Sequence, residues 1–68
     1  MKSKLRIERE RRGWSLSELA LRAKLRPSNI SLYERGLNPS QPVARRMALA
    51  LGMEPVEIWP EFETFRGW

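Results

Sequence analysis

The chain has 68 residues and carries 13 Lys and Arg against 8 acidic residues, which gives a formal net charge of +5 and an isoelectric point near 10.8. It contains no Cys and no His, and every acidic residue is Glu, so disulfide frameworks, Cys or His zinc sites and His-dependent catalytic triads are excluded. One small domain fits this length, and no apolar run approaches a membrane span or a signal peptide.

We therefore expect a soluble cytoplasmic protein that is not an enzyme, needs no cofactor or metal, does not enter a membrane and has an anionic partner. The charge is uneven along the chain. Residues 1–26 carry a net +6, residues 27–53 a net +2 and residues 54–68 a net −3. This asymmetry predicts a basic surface on the N-terminal two thirds, as in nucleic-acid-binding domains, although a merely solvated face also fits.

Helical patterns fill the chain between Gly and Pro positions, and no segment alternates like a strand. A first helix is predicted over 3–12, with Ser3 as its cap, Leu5 as its main apolar residue and a left-handed stop at Gly13. A second helix follows over 16–23, and Ser15 with Glu18 forms its capping box. Its inward-facing residues are Leu16, Leu19, Ala20 and Ala23.

The remaining helices are each opened by a proline. The third is predicted over 27–35, because Pro27 suits a first helical position and Gly36 ends the pattern. A fourth helix over 41–51 and a short fifth helix over 55–59 follow. The fourth helix directs Val43, Ala44, Met47, Ala48, Ala50 and Leu51 inward. The segment 60–68 is an acidic tail rich in aromatic residues.

The second and third helices are joined by only three residues, 24–26, and this arrangement predicts a helix-turn-helix. The outer face of the third helix carries Ser28, Asn29 and Ser31, which are small enough to enter a DNA major groove and can hydrogen-bond there. An ordinary helical hairpin with a solvated polar face is the alternative.

Residues 13–36, together with Asn38-Pro39-Ser40 and the segment 48–52, resemble the lambda-repressor-like, XRE-type family of five-helix DNA-binding modules. Ser15-Leu16-Ser17, Pro27 and Ile58-Trp59-Pro60 also resemble the Ner-like regulators of transposable phages and their bacterial relatives. The likenesses cover roughly residues 5–60. They imply a compact all-α, five-helix domain over residues 1–60, an aromatic C-terminal tail over 61–68, and a bacterial or phage-encoded protein acting at the nucleoid.

The resemblance also implies roles for individual residues. Base-edge contacts fall at Pro27, Ser28, Asn29 and Leu32, with Ser31 beside them. Phosphate contacts are predicted at Arg22, Lys24, Arg26, Arg35 and the backbone around Asn38. For Arg11, Arg12, Arg45 and Arg46, a phosphate contact and a solvated side chain both fit. Arg9 and Glu34 match an internal ion pair of the family.

Four residues depart from the family pattern. Repressors often have Gln at the positions of Leu16, Pro27 and Leu32. Leu32 has only a thymine methyl group to contact, which predicts an A·T-leaning readout. Lys24 replaces the usual Gly of the turn and adds charge near the DNA backbone.

The aromatic residues of the C-terminal segment exceed what a small core absorbs. One interpretation places Trp14, Trp59 and Phe62 at the bottom of the core. We also expect a homodimer seam at Trp59, Phe62 and Phe65, and the alternatives are a second protein as partner or a frayed end. The leading functional hypothesis is a dimeric, sequence-specific transcriptional regulator of double-stranded DNA, most simply a repressor, with no small-molecule effector. The alternative is a protein-interaction module, such as an antitoxin or adaptor that binds through this aromatic end.

Overall fold

The computed structural model describes residues 2–65, with side chains from Lys2 to Phe62. Over these residues the chain forms five α-helices, then a 3₁₀-helix, and no strand. The helices are α1 Lys4–Arg11, α2 Leu16–Ala23, α3 Pro27–Glu34, α4 Gln41–Leu51 and α5 Pro55–Ile58, and the 3₁₀-helix is Pro60–Phe65. The predicted all-α, five-helix fold is confirmed.

The helix ends follow from local capping chemistry. The hydroxyl of Ser3 accepts a hydrogen bond from the Arg6 amide, and that of Ser15 accepts one from the Glu18 amide, so each serine satisfies an N–H group that its helix leaves free. Ser3 is therefore the residue before α1 rather than part of it, and α1, α3 and α5 each end one residue earlier than predicted. The Glu18 carboxylate accepts from Arg22 instead of completing the predicted capping box.

Helix α2 lies at the centre of the domain, where it packs against both α3 and α4. The largest fully buried side chains are Leu5, Leu19, Ile30 and Met47, so α1 to α4 each contribute one. Trp59 is only 7% exposed and closes the core at the C-terminal end of α5. Within the described residues no helix is long and apolar enough to cross a membrane.

The 3₁₀-helix continues across the boundary that was predicted between the domain and the tail at residue 60. Phe62 is partly buried, and its ring meets that of Trp59 edge to face, with 6.1 Å between centroids. At least the first turn after residue 60 is therefore attached to the domain by aromatic packing.

Candidate nucleic-acid interface

The turn between α2 and α3 depends on one residue in an unusual conformation. Lys24 has φ 60° and ψ 45° and is the only non-glycine residue with positive φ in the part of the chain that the structure describes. The following amide, of Leu25, donates to the Ala20 carbonyl at 2.8 Å, which closes the end of α2. The chain then enters α3 at Pro27, so only three residues separate α2 from α3.

Helix α3 presents a polar face without charge to solvent. Ile30 is fully buried on one side, whereas Ser28 is exposed, Asn29 and Ser31 are half-buried, and Leu32 is 42% exposed. Within the described residues, the side chains of Ser28, Asn29 and Ser31 form no hydrogen bond with the rest of the chain. Their donors and acceptors are therefore available to a partner.

The cations of the chain divide into two groups at residue 23. Every Lys and Arg between residues 2 and 22 forms an ion pair, and these residues are Lys2, Lys4, Arg6, Arg9, Arg11, Arg12 and Arg22. Among the described residues, no ion pair involves Lys24, Arg26, Arg35, Arg45 or Arg46. Within the part of the chain that the structure describes, the uncompensated positive charge thus lies on residues 24–46, on and beyond the turn, rather than on the N-terminal segment with the largest formal charge.

The pairing on α1 centres on a buried acid that the sequence analysis did not identify. Glu8 is 2% exposed, and its carboxylate contacts Lys4, Arg11 and Arg12 at 3.0–3.1 Å. The hydrogen bond from Lys4, then that from Arg12, lowers the pKa of Glu8 to about 2. Its spacing of four, three and four residues from these cations is the signal that sequence reasoning had available.

A second acid on α1, Glu10, accepts from Lys2 at 2.8 Å and from Arg6 at 3.0 Å. These two hydrogen bonds, that from Lys2 first, lower the pKa of Glu10 to about 2. The side chain of Arg12 is partly buried, and its guanidinium donates to the Leu51 carbonyl at the end of α4 at 2.6 Å. For Arg12, the structure gives an internal contact where the sequence left a phosphate contact and a solvated side chain open.

Arg9 and Glu34 form a bidentate ion pair that joins α1 to the last residue of α3. The Nε–Oε2 distance is 2.6 Å and the Nη2–Oε1 distance is 3.1 Å, and both side chains are largely buried. Arg9 also donates to the Trp14 carbonyl at 2.8 Å, and its hydrogen bond with Glu34 raises the pKa of the guanidinium. The pair fixes the C-terminal end of α3 against the domain.

Arg22 differs from the other predicted phosphate contacts. Its Nε donates to Glu18 at 2.7 Å, and its guanidinium lies 4.3 Å from the centroid of the Trp14 ring. Such stacking is a cation–π contact. Half of the side chain is still exposed, so Arg22 reaches solvent but is held by two neighbours.

The predicted dimer contacts lie in different environments. Trp59 belongs to the core, Phe62 packs against it, and the side chain of Phe65 lies outside the described part of the structure. Beside Trp59 is an open cleft of about 130 Å³, which extends past Tyr33 to Leu37 and the exposed Asn38 in the loop after α3.

Comparison with known proteins agrees with this geometry. The family model described as helix-turn-helix matches residues 5–58. No match was found among curated proteins, and none was found among solved structures. The Ner-like resemblance thus stays a prediction. Because the match covers most of the chain and all five α-helices, the protein belongs to the lambda-repressor-like helix-turn-helix family of DNA-binding regulatory domains.

Proposed function

We propose that this protein is a sequence-specific transcriptional regulator that inserts α3 into the major groove of double-stranded DNA. The observation that carries the proposal is the distribution of charge around α3. Arg26 precedes the helix, Arg35 follows it, and neither is ion-paired within the described residues, while the face between them is polar and neutral. Cations at both ends would hold phosphates while the neutral face meets base edges.

The phosphate contacts proposed are Arg22, Lys24, Arg26, Arg35 and Asn38. Lys24 and Arg26 lie in and after the turn, Arg35 caps the end of α3, and Asn38 is exposed in the next loop. Arg22 would contact a phosphate only if its guanidinium broke the ion pair with Glu18 or bound the phosphate and Glu18 together. Base reading is proposed for Pro27, Ser28, Asn29, Ser31 and Leu32 on the outer face of α3.

We further propose that the protein binds as a homodimer and represses transcription by occupying the site that polymerase needs. The cleft beside Trp59 supports a contact at this end of the domain, because Leu37 on its rim is 54% exposed. A two-fold dimer would place two α3 helices about one DNA turn apart and require a palindromic operator. The regulator would act at the nucleoid of a bacterial cell without a small-molecule effector.

Selection from random duplex DNA tests the proposal. We expect an enriched palindromic sequence whose affinity falls with salt, with a slope in log K of about −0.9 for each phosphate neutralised. Failure to enrich any sequence, with a slope near zero, would contradict DNA binding and favour a protein-interaction module.

Sedimentation at increasing concentration tests the dimer separately. We expect Leu37→Glu to shift the protein towards monomer, because a charge on an apolar seam is costly to bury. Leu49→Glu is the matched control, since Leu49 is an exposed leucine on α4 that does not line the cleft. Equal association of both variants would contradict a seam at the cleft.

A further inference from the structure

Leu32 is an apolar residue on the solvent-facing side of α3. It is the most exposed large hydrophobic side chain of this helix, at 42%, and it belongs neither to the core nor to the side chains packed against the core. Its neighbour Tyr33, by contrast, packs against the core. Leu32 lies one helical turn after Ser28, on the same outward face.

The chemistry of the major groove leaves one partner for such a side chain. Base edges present hydrogen-bond donors and acceptors there, apart from the C5-methyl group of thymine. Leucine placed against a donor or acceptor would bury that group without a hydrogen bond, which is unfavourable. Against a methyl group, both surfaces lose contact with water, which is favourable.

The other residues of α3 also give no reason to expect a guanine at the DNA position that Leu32 faces. Arg and Lys are the side chains that most often bind guanine, yet between Pro27 and Glu34 helix α3 has neither. The cations Arg26 and Arg35 lie outside both ends of α3.

We propose that Leu32 reads the C5-methyl group of a pyrimidine, so that the preferred DNA site contains a thymine at this position and accepts 5-methylcytosine better than cytosine. This inference rests on the proposed DNA binding and specifies its substrate. The methyl group of 5-methylcytosine lies in the major groove at the same ring position as that of thymine. The protein would thereby be sensitive to cytosine methylation.

The probe is the duplex enriched by selection, with each thymine replaced in turn by deoxyuridine, which lacks only the methyl group. We expect one position per half-site at which uracil lowers affinity about fourfold, corresponding to about 0.8 kcal/mol for one CH₂-sized group. With cytosine at that position, C5 methylation is expected to raise affinity by a similar factor.

Two variants connect the effect to the side chain. Leu32→Ala is expected to bind thymine and uracil duplexes equally, and to lose the response to cytosine methylation. Leu49→Ala is the matched control, because Leu49 is 81% exposed and lies on α4, and it should keep both responses. The deoxyuridine comparison uses the unaltered protein, so it does not depend on the folding of a variant.

The outcomes separate this inference from the proposed function. Specific, salt-dependent binding with equal affinity for thymine and uracil at every position would overturn the role of Leu32 and leave DNA binding intact. A methyl preference that persists in Leu32→Ala would overturn it as well. If no duplex is enriched, the proposed function fails, and the inference fails with it.

Discussion

Two basic regions of this domain look alike in the sequence and differ in the structure. Between residues 2 and 22 every cation has an acidic partner, whereas the cations between residues 24 and 46 have none among the described residues. A cation that is already paired must give up or share its acid before it can neutralise a phosphate. The ion pairs therefore divide the formal positive charge into cations that are already neutralised and cations that remain available to an anion.

Within the N-terminal region, the pairs also differ in burial. The Arg9–Glu34 pair is nearly buried, and the pairs of Glu10 and Glu18 are exposed. Buried pairs are costly to break, whereas exposed ones contribute little.

The largest expected effect is the loss of folding stability in Glu34→Ala. This substitution leaves Arg9 buried without its partner, which costs about 3–5 kcal/mol, comparable with the roughly 3–10 kcal/mol that stabilise a domain of this size. We expect thermal or urea unfolding to show a largely unfolded protein. Glu18→Ala is the control and should cost less than about 1 kcal/mol, because its pair with Arg22 is exposed. Equal stability of Glu34→Ala and the parent would contradict the structural role of the pair.

The second-largest effect is expected on the stability of the fold at acidic pH. Glu8 and Glu10 have pKa values of about 2 in the fold, against an ordinary value of 4.5. The unfolded chain therefore binds more protons between these values, so the stabilisation is complete above pH 4.5 and is lost as the pH falls towards 2. The melting temperature should drop across this window. Glu8→Gln should melt lower at neutral pH and lose less on acidification, and an unchanged pH profile would contradict the role of Glu8.

A smaller effect is expected on DNA affinity, where variants of an unpaired cation and of a paired cation should differ. Arg35→Gln removes an unpaired cation and should reduce the salt slope by about 0.9, which amounts to roughly fivefold in affinity at about 0.15 M salt. Arg6→Gln removes a cation that is paired with Glu10 and should change the slope little. Titrations of a labelled duplex over a salt series measure both. Similar losses in the two variants would show that pairing does not decide which cations bind.

The smallest effect is expected for Lys24→Gly. Glycine adopts positive φ without steric cost, so the variant should gain about 0.5–1 kcal/mol of stability. The same change removes a proposed phosphate contact and should weaken DNA binding. Lys24→Asn is the matched control, because it removes the charge and also tolerates this conformation. Stabilisation with unchanged binding would show that Lys24 does not contact DNA.

Much of the fold follows from local signals in the sequence. The bounds of α2 and α4 agree with prediction, because capping serines, prolines and positive-φ glycines mark helix ends in a way that depends on few neighbours. The outward residues of α3 follow from helical periodicity together with Pro27 and Gly36. Their contacts with DNA stay predictions.

What the sequence does not provide is the burial of each charged side chain and its contacts with residues far along the chain. Helix α1 has six charged residues among its eight, and this pattern resembles a solvated helix, so neither the burial of Glu8 nor the contact of Arg12 with α4 could be predicted. Both depend on how close the C-terminal end of α4 lies to α1 in the folded domain. Likewise, the stacking of Arg22 on Trp14 could not be predicted, because it depends on how the chain enters α2.

The hydrogen bond from Arg12 to the Leu51 carbonyl joins two chain positions that lie 39 residues apart. Helix α1 packs mainly on α3, and α4 packs mainly on α2 and α5, so this one side chain links the ends of two helices with different neighbours. Detachment of α1 would leave the Leu51 carbonyl at the end of α4 without this hydrogen bond. Amide hydrogen exchange should therefore report α1 and the final turn of α4 opening as one cooperative unit, despite their separation along the chain.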